Sequence, residues 1–255
     1  MTAANRWYLR WVFMPLNFIG EVAILIWEGF TRIFRPPFEA KETLNQMVFV
    51  GLGSVPIVVL TTFASGAVMS LYISPLLLHM GVGAMVGGTV GLTVSRELAP
   101  VVAGIMVAAR CGSAMTAQIG SMAVTEQLDA LKALGVNPYN YLLVPRLLAS
   151  VLMLPILGLL GCYAGIIGGL IVATGHGISA ALFLDSISNM LVPWDFIGGV
   201  VKTAFFGLVT AIIACQQGFS TKGGAAGVGR STTDTVVISM VLIYILNYFL
   251  AAWFY

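Results

Sequence analysis

The sequence predicts an all-α polytopic membrane protein: an N-terminal interfacial helix, five transmembrane helices, and a short cytoplasmic helix between the second and third spans. Three observations predict it. Of the 255 residues 59% are hydrophobic and only 9% charged, with a mean hydropathy of +0.98, whereas soluble domains carry about 25% charged residues. Five stretches reach the roughly 20 apolar residues that a helix needs to cross a bilayer. Lys and Arg also fall on alternate connections only. Nearly every segment is claimed by an apolar run, so the chain reads as one domain over 1–255.

Residues 1–42 come first. Their uncharged runs are too short to cross, since Glu21 and Glu28 interrupt them two turns apart on one side of a helix. With Trp7, Trp11 and Trp27 set among basic residues, the segment reads as a helix lying in the interface. A sixth, weakly hydrophobic span is the rival reading. The spans are expected at 47–70, 82–118, 147–173, 196–219 and 235–255. The second holds Arg96, Glu97 and Arg110, the fourth holds Lys202, and the first and third carry no charge. Pro56, Pro100, Pro155 and the Gly165 to Gly169 cluster lie within spans, where bundled helices tolerate breaks and use small residues to pack closely.

Orientation follows from the basic residues. Arg6, Arg10, Arg32, Arg35 and Lys41 precede the first span, Lys132 and Arg146 lie between the second and third, and Lys222 and Arg230 between the fourth and fifth. Connections 71–81 and 174–195 contain neither Lys nor Arg. The positive-inside rule then puts the N-terminus in the cytoplasm and the C-terminus outside. No signal peptide or transit-like leader is evident.

The short helix is expected over 123–134. Val124, Leu128, Leu131 and Leu134 recur at spacings of three and four, with Glu126 and Asp129 on another face. Its acidic residues come early and Lys132 late, as the helix dipole favours, and Gly135 with Asn137-Pro138 supplies a stop. It could simply join two spans along the bilayer surface. An acidic outer face suits a protein partner better than anionic lipid.

The run "SRELAPVVAGIMVAARCGSAMTAQIGSMAVTEQLDALKALGVNPYNYLLVPRLLA", Ser95 to Ala149, resembles the signature region of MlaE-type permeases, the membrane subunits of ABC lipid transporters that work with Mce-domain proteins. "GGAAGVGRSTTDTVVIS", Gly223 to Ser239, resembles the last cytoplasmic loop of that family. The resemblance implies that 123–134 is a coupling helix seated in a separate cytoplasmic ATPase, with Glu126, Gln127 and Asp129 facing the ATPase and Leu128 and Leu131 packing toward the permease. It implies two copies of the chain, since each offers one coupling helix and ABC ATPases act in pairs. It further implies an outer-side Mce-domain protein, phospholipid as cargo, a bacterial inner membrane, and no cofactor in this chain, ATP and Mg belonging to the partner. The segment containing Leu182, Phe183, Ile187 and Leu191 is the expected contact with the Mce partner.

A charge at mid-membrane costs about 2.5–3.5 kcal/mol or more, so such residues face protein or a wet cavity. Arg96 and Glu97 therefore form either a buried ionic latch or, as the resemblance suggests, part of a lipid cavity near a head group. Arg110 is expected to snorkel or to pair with a loop, and Lys202 to snorkel or bind a carboxylate or phosphate.

Other features carry less. G-x-x-x-x-G-R-S from Gly224 nearly spells a P-loop, but Arg230 replaces the lysine and no strand precedes it; Thr232, Thr233 or Asp234 is expected to cap the last span. Cys111, Cys162 and Cys215 stand singly in apolar runs, and His79 and His176 lack partners at ligand spacing, so no metal site is expected. Asp185 and Asp195 read as the polar ends of an outer connecting helix. No catalytic set is recognisable, which argues against a membrane-embedded lipid-modifying enzyme. An ion-coupled carrier would show repeats and polar residues in several spans.

Overall fold

The structure, a computed structural model, describes residues 3–33 and 39–255, and side chains from residue 16 onward. Arg35 and the side chains of Arg6, Trp7, Arg10 and Trp11 lie outside the described residues. Among the described residues the chain is helical, without strands. Five helical stretches are long and apolar enough to cross a membrane: Ala40–His79, Gly83–Val124, Tyr139–Gly175, Pro193–Phe219 and Gly224–Phe254. The chain is thus an all-α polytopic membrane protein.

The first helix, α1 (Ala3–Ile33), is not one of these. Three of its charged side chains bond to the bundle or to each other. Gln216 donates to Glu21 at 2.7 Å, and Arg32 pairs with Glu28 and donates to Asn140 at 3.0 Å, with Leu25 buried among them. Ile19, Ile24, Trp27 and Phe30 are exposed, the face that lipid would cover. Glu21 and Glu28, which mark the segment as too polar to span, are the side chains that tie it to the bundle.

The first membrane stretch is broken. Helix α2 (Ala40–Val50) stops at Gly51, a tight turn occupies Leu52–Ser54, and α3 (Val55–His79) begins with Pro56 in its first turn. Proline there gives up an N–H that has no helical partner anyway. Expected at 47–70, the first membrane stretch instead runs from Ala40, with a break at Leu52–Ser54, through Pro75 to His79. The second stretch comprises α4 (Val86–Thr93), α5 (Ala99–Val107) and α6 (Ser113–Val124), joined by π-helical turns at Val94–Leu98 and Ala108–Gly112. A short helix, α7 (Gln127–Ala133), follows, then a π-turn at Tyr139–Leu143 and α8 (Val144–Gly175). Helix α9 (Ala180–Met190) leads to α10 (Pro193–Phe219) and α11 (Gly224–Phe254). Chain direction puts α1, α2 and α7 at one end of the bundle and α9 at the other.

The last span corrects an expectation. Helix α11 starts at Gly224, after Gly223 at φ 91°, so residues 224–234 are already helix ahead of the span expected from 235. Thr232 and Thr233 donate back to the Gly229 carbonyl within the helix and cap nothing, and Asp234 lies 3.7 Å from Arg230 one turn away. A glycine-rich sequence wound into helix cannot cradle a phosphate as a P-loop does. With 31 residues α11 is about 46 Å long, well beyond the roughly 30 Å of hydrocarbon.

Helix α8 is central, packing on α3 and α10. Small residues allow it. A Cβ on Gly66 of α3 would lie 2.0 Å from the Gly165 carbonyl oxygen of α8, and one on Gly168 would lie 2.2 Å from that of Phe63. Gly161, Gly165 and Gly169 recur every four residues and present backbone instead of side chain to α3.

Candidate functional site

The intramembrane charges meet near the α9 end. Arg96 and Glu97 lie on the first π-turn, Asp195 and Lys202 two turns apart on α10, and Asn247 on α11. The Arg96 guanidinium reaches Asp195 Oδ1 at 2.7 Å, and Lys202 Nζ reaches Glu97 Oε1 at 2.7 Å. Asn247 donates to the other Glu97 oxygen at 2.7 Å, and the Val192 N–H to the other Asp195 oxygen at 3.0 Å. The Tyr255 ring lies 4.3 Å from the Arg96 guanidinium and 5.1 Å from Lys202 Nζ. Pro100 also matters: it has no N–H to return to the Arg96 carbonyl, and Lys202 donates there at 3.0 Å.

Each pair has one buried and one open member. The side chains of Asp195 and Lys202 are 1% and 0% exposed, those of Arg96 and Glu97 35% and 38%. The latch reading of Arg96 and Glu97 thus describes their contacts, while their outer faces stay available. Two positive and two negative charges compensate, as charges in an apolar bundle must.

Arg110 belongs elsewhere. It lies 14 residues beyond Arg96, about 21 Å along the helix, on the second π-turn. Its guanidinium donates to the Phe49 carbonyl at 3.2 Å and to Ser54 Oγ at 3.1 Å, bracing the break between α2 and α3. A Cβ on Gly53 would sit 2.4 Å from that guanidinium, so a larger residue there displaces Arg110 from its partners. Helix ends leave carbonyls without partners, and Arg110 serves one. Arg146, counted with the loop charges in reading orientation, is buried and bonds the Leu142 carbonyl and Gln118.

The helix expected over 123–134 is divided. Ala123 and Val124 end α6, and Glu126 turns the chain in the left-handed region at φ 59°, so α7 covers only 127–133. Leu128 is buried and Leu131 half-buried, while Glu126, Gln127 and Asp129 are exposed and Lys132 pairs with Asp129 at 2.9 Å. That hydrogen bond raises the Lys132 pKa above the usual lysine value. Leu134, placed by periodicity on the apolar side, is 78% exposed, because α7 has ended and Gly135 turns the chain at φ 76°. A cavity of about 330 Å³ opens between Leu128, Lys132, Pro138, Tyr139 and Phe219.

Sequence reasoning missed Asp195, Asn247 and Tyr255 as members of the cluster. The sequence places Asp195 with Asp185 at the polar ends of an outer helix. In the structure Asp185 is exposed on α9, bonded to Asn189, whereas Asp195 is buried in the first turn of α10. Pro193 was the available signal, because proline at a helix start puts Asp195 and Lys202 on one face. Asn247 and Tyr255 gave none. Among the described residues no cluster of His, Cys, Asp or Glu has the makings of a metal site.

The family model described as Permease MlaE matches residues 43–253. A probable ABC transporter permease protein of Synechocystis is 41% identical over 248 residues, spanning 97% of this chain and 91% of the relative. One from Rickettsia felis is 38% identical over 238 residues, 93% and 92% of the two chains. The Arabidopsis thaliana protein named trigalactosyldiacylglycerol 1, chloroplastic, is 36% identical over 236 residues, 92% of this chain and 67% of the relative.

Proposed function

Because the chain belongs to the MlaE permease family and is a transport permease subunit, we propose that it serves an ABC-type phospholipid transporter, moving lipid between the bacterial inner membrane and an outer-side Mce-domain partner. Two copies work with a pair of separate cytoplasmic ATPases that bind the ATP and Mg, and the chain itself catalyses nothing. The α7 end then faces the cytoplasm and the α9 end the outside. The name of the Arabidopsis relative contains a glycerolipid, which supports a glycerolipid cargo.

The observation that carries the reading is the geometry of α7. Leu128 and Leu131 anchor it, while Glu126, Gln127 and Asp129 project outward. A short helix seated in this way passes a push to α6, on which it packs, instead of absorbing it. The open faces of Arg96 and Glu97 near the opposite end suit a zwitterionic or anionic head group, with Arg96 meeting phosphate.

The test is charge reversal. The double change Glu126→Lys with Asp129→Lys lowers co-purification of the ATPase and ATPase activity at least about tenfold, one strong contact in binding terms. Glu126→Gly, which suits φ 59° better, preserves the turn and separates charge from shape. Full ATPase binding and activity in the double variant would overturn the α7 reading.

A further inference from the structure

A cavity of about 240 Å³ lies beneath α1, at the opposite end of the bundle from the ionic cluster. Its walls come from three parts of the chain: Glu21, Ile24 and Leu25 of α1, Tyr139 after α7, and Gln216 and Phe219 of α10. The Glu21 carboxylate accepts from the Gln216 amide at 2.7 Å and the Ser220 hydroxyl at 3.2 Å, which hold it at the cavity. Both donors are neutral. Among the described residues no cation forms an ion pair with Glu21, as none does with Glu39, Glu42, Glu126 or Asp185, but Glu21 alone of these lines the cavity. Tyr139 and Phe219 pack edge to face with centroids 5.4 Å apart, supplying aromatic surface beside the carboxylate.

The Arg32 guanidinium already lies over the Tyr139 ring, 5.8 Å from its centroid. A carboxylate fixed by neutral donors beside the Phe219 ring fits an alkylammonium group, which gains a charge-assisted hydrogen bond and cation–π attraction. The exposed Ile24 and Trp27 place the cavity mouth beside the apolar strip of α1 that lipid would cover. We propose that this cavity binds the ammonium head of an amine-bearing phospholipid, holding α1 to the bundle at a site separate from any transported cargo. The proposal does not depend on the transport reading, and its test measures binding alone.

The full chain is reconstituted in vesicles of equal parts phosphatidylethanolamine and phosphatidylglycerol, gently extracted, and weighed with its retained lipid by native mass spectrometry. Wild type retains phosphatidylethanolamine preferentially, and Glu21→Gln, which keeps the size and hydrogen-bonding oxygen but not the charge, lowers that preference about tenfold. Chain prepared in phosphatidylglycerol alone is then offered ethanolamine. Ethanolamine bound by wild type and lost in Glu21→Gln, without lipid preference, would make the source a free amine and overturn the lipid assignment. A lipid preference unchanged by Glu21→Gln, or no preference and no bound amine, overturns the site. Equal unfolding temperatures for the two proteins exclude misfolding as the cause.

Discussion

Lys202 holds three things at once: the Glu97 carboxylate, the Arg96 carbonyl left over by Pro100, and the face of the Tyr255 ring. Lys202→Met therefore strands a carboxylate inside the bundle, and a loss of about 3 kcal/mol is expected, the lower end for breaking a buried pair because Glu97 is partly exposed. Adding Glu97→Gln removes the stranded charge and recovers all but about 1 kcal/mol. Denaturant unfolding in detergent measures both, and a double variant no more stable than the single would show that the pair is not the unit. At this scale the sequence disclosed Arg96 and Glu97 as residues that must face protein or water. It did not disclose Asp195, 99 positions away, because periodicity assigns a residue to a face and names no partner. Burial at α7 followed the expected faces for Leu128 and Leu131 and failed at Leu134, beyond the end of a helix whose start at Glu126 depends on a left-handed residue that no spacing rule marks.

The elements were legible where hydrophobicity alone decides. Five apolar helices are present, as the count of apolar runs predicts, but their ends differ from the runs wherever glycine or proline carries the information. Pro56 and Pro193 are helix starts, Gly51 and Gly53 mark a break, and Gly223 to Gly229 open a helix instead of filling a loop. The Gly165 to Gly169 cluster announced close packing without revealing that α3 was the neighbour. That contact can be tested directly. Gly66→Val puts carbon where the Gly165 carbonyl stands, so a loss of about 3 kcal/mol or more and failure to elute as one species are expected. Gly20→Ala on α1, with open space around it, should be neutral or stabilising by up to about 1 kcal/mol. Similar losses at the two positions would mean that helix propensity, and not close approach, governs them.

For the whole molecule, the proposed orientation puts α7 on the cytoplasmic side and α9 on the outer side. Single cysteines at Asp129 on α7 and Asp185 on α9, both exposed, report which side is which. The native Cys111, Cys162 and Cys215 are buried and leave the background low. In intact cells an impermeant maleimide is expected to label Asp185→Cys and to spare Asp129→Cys until the membrane is opened; the reverse pattern would invert the orientation and remove α7 from reach of any cytoplasmic ATPase.

The pairing of charges also bears on what can power the molecule. An unpaired lysine carried across a membrane at 100 mV would couple to about 2.3 kcal/mol of electrical work. The two basic and two acidic side chains of the cluster have formal charges that sum to zero, so any motion that carried them together as a unit would draw no net work from the field. Such a motion runs equally well in an energised and a depolarised cell, and a voltage clamp would record no gating current from it.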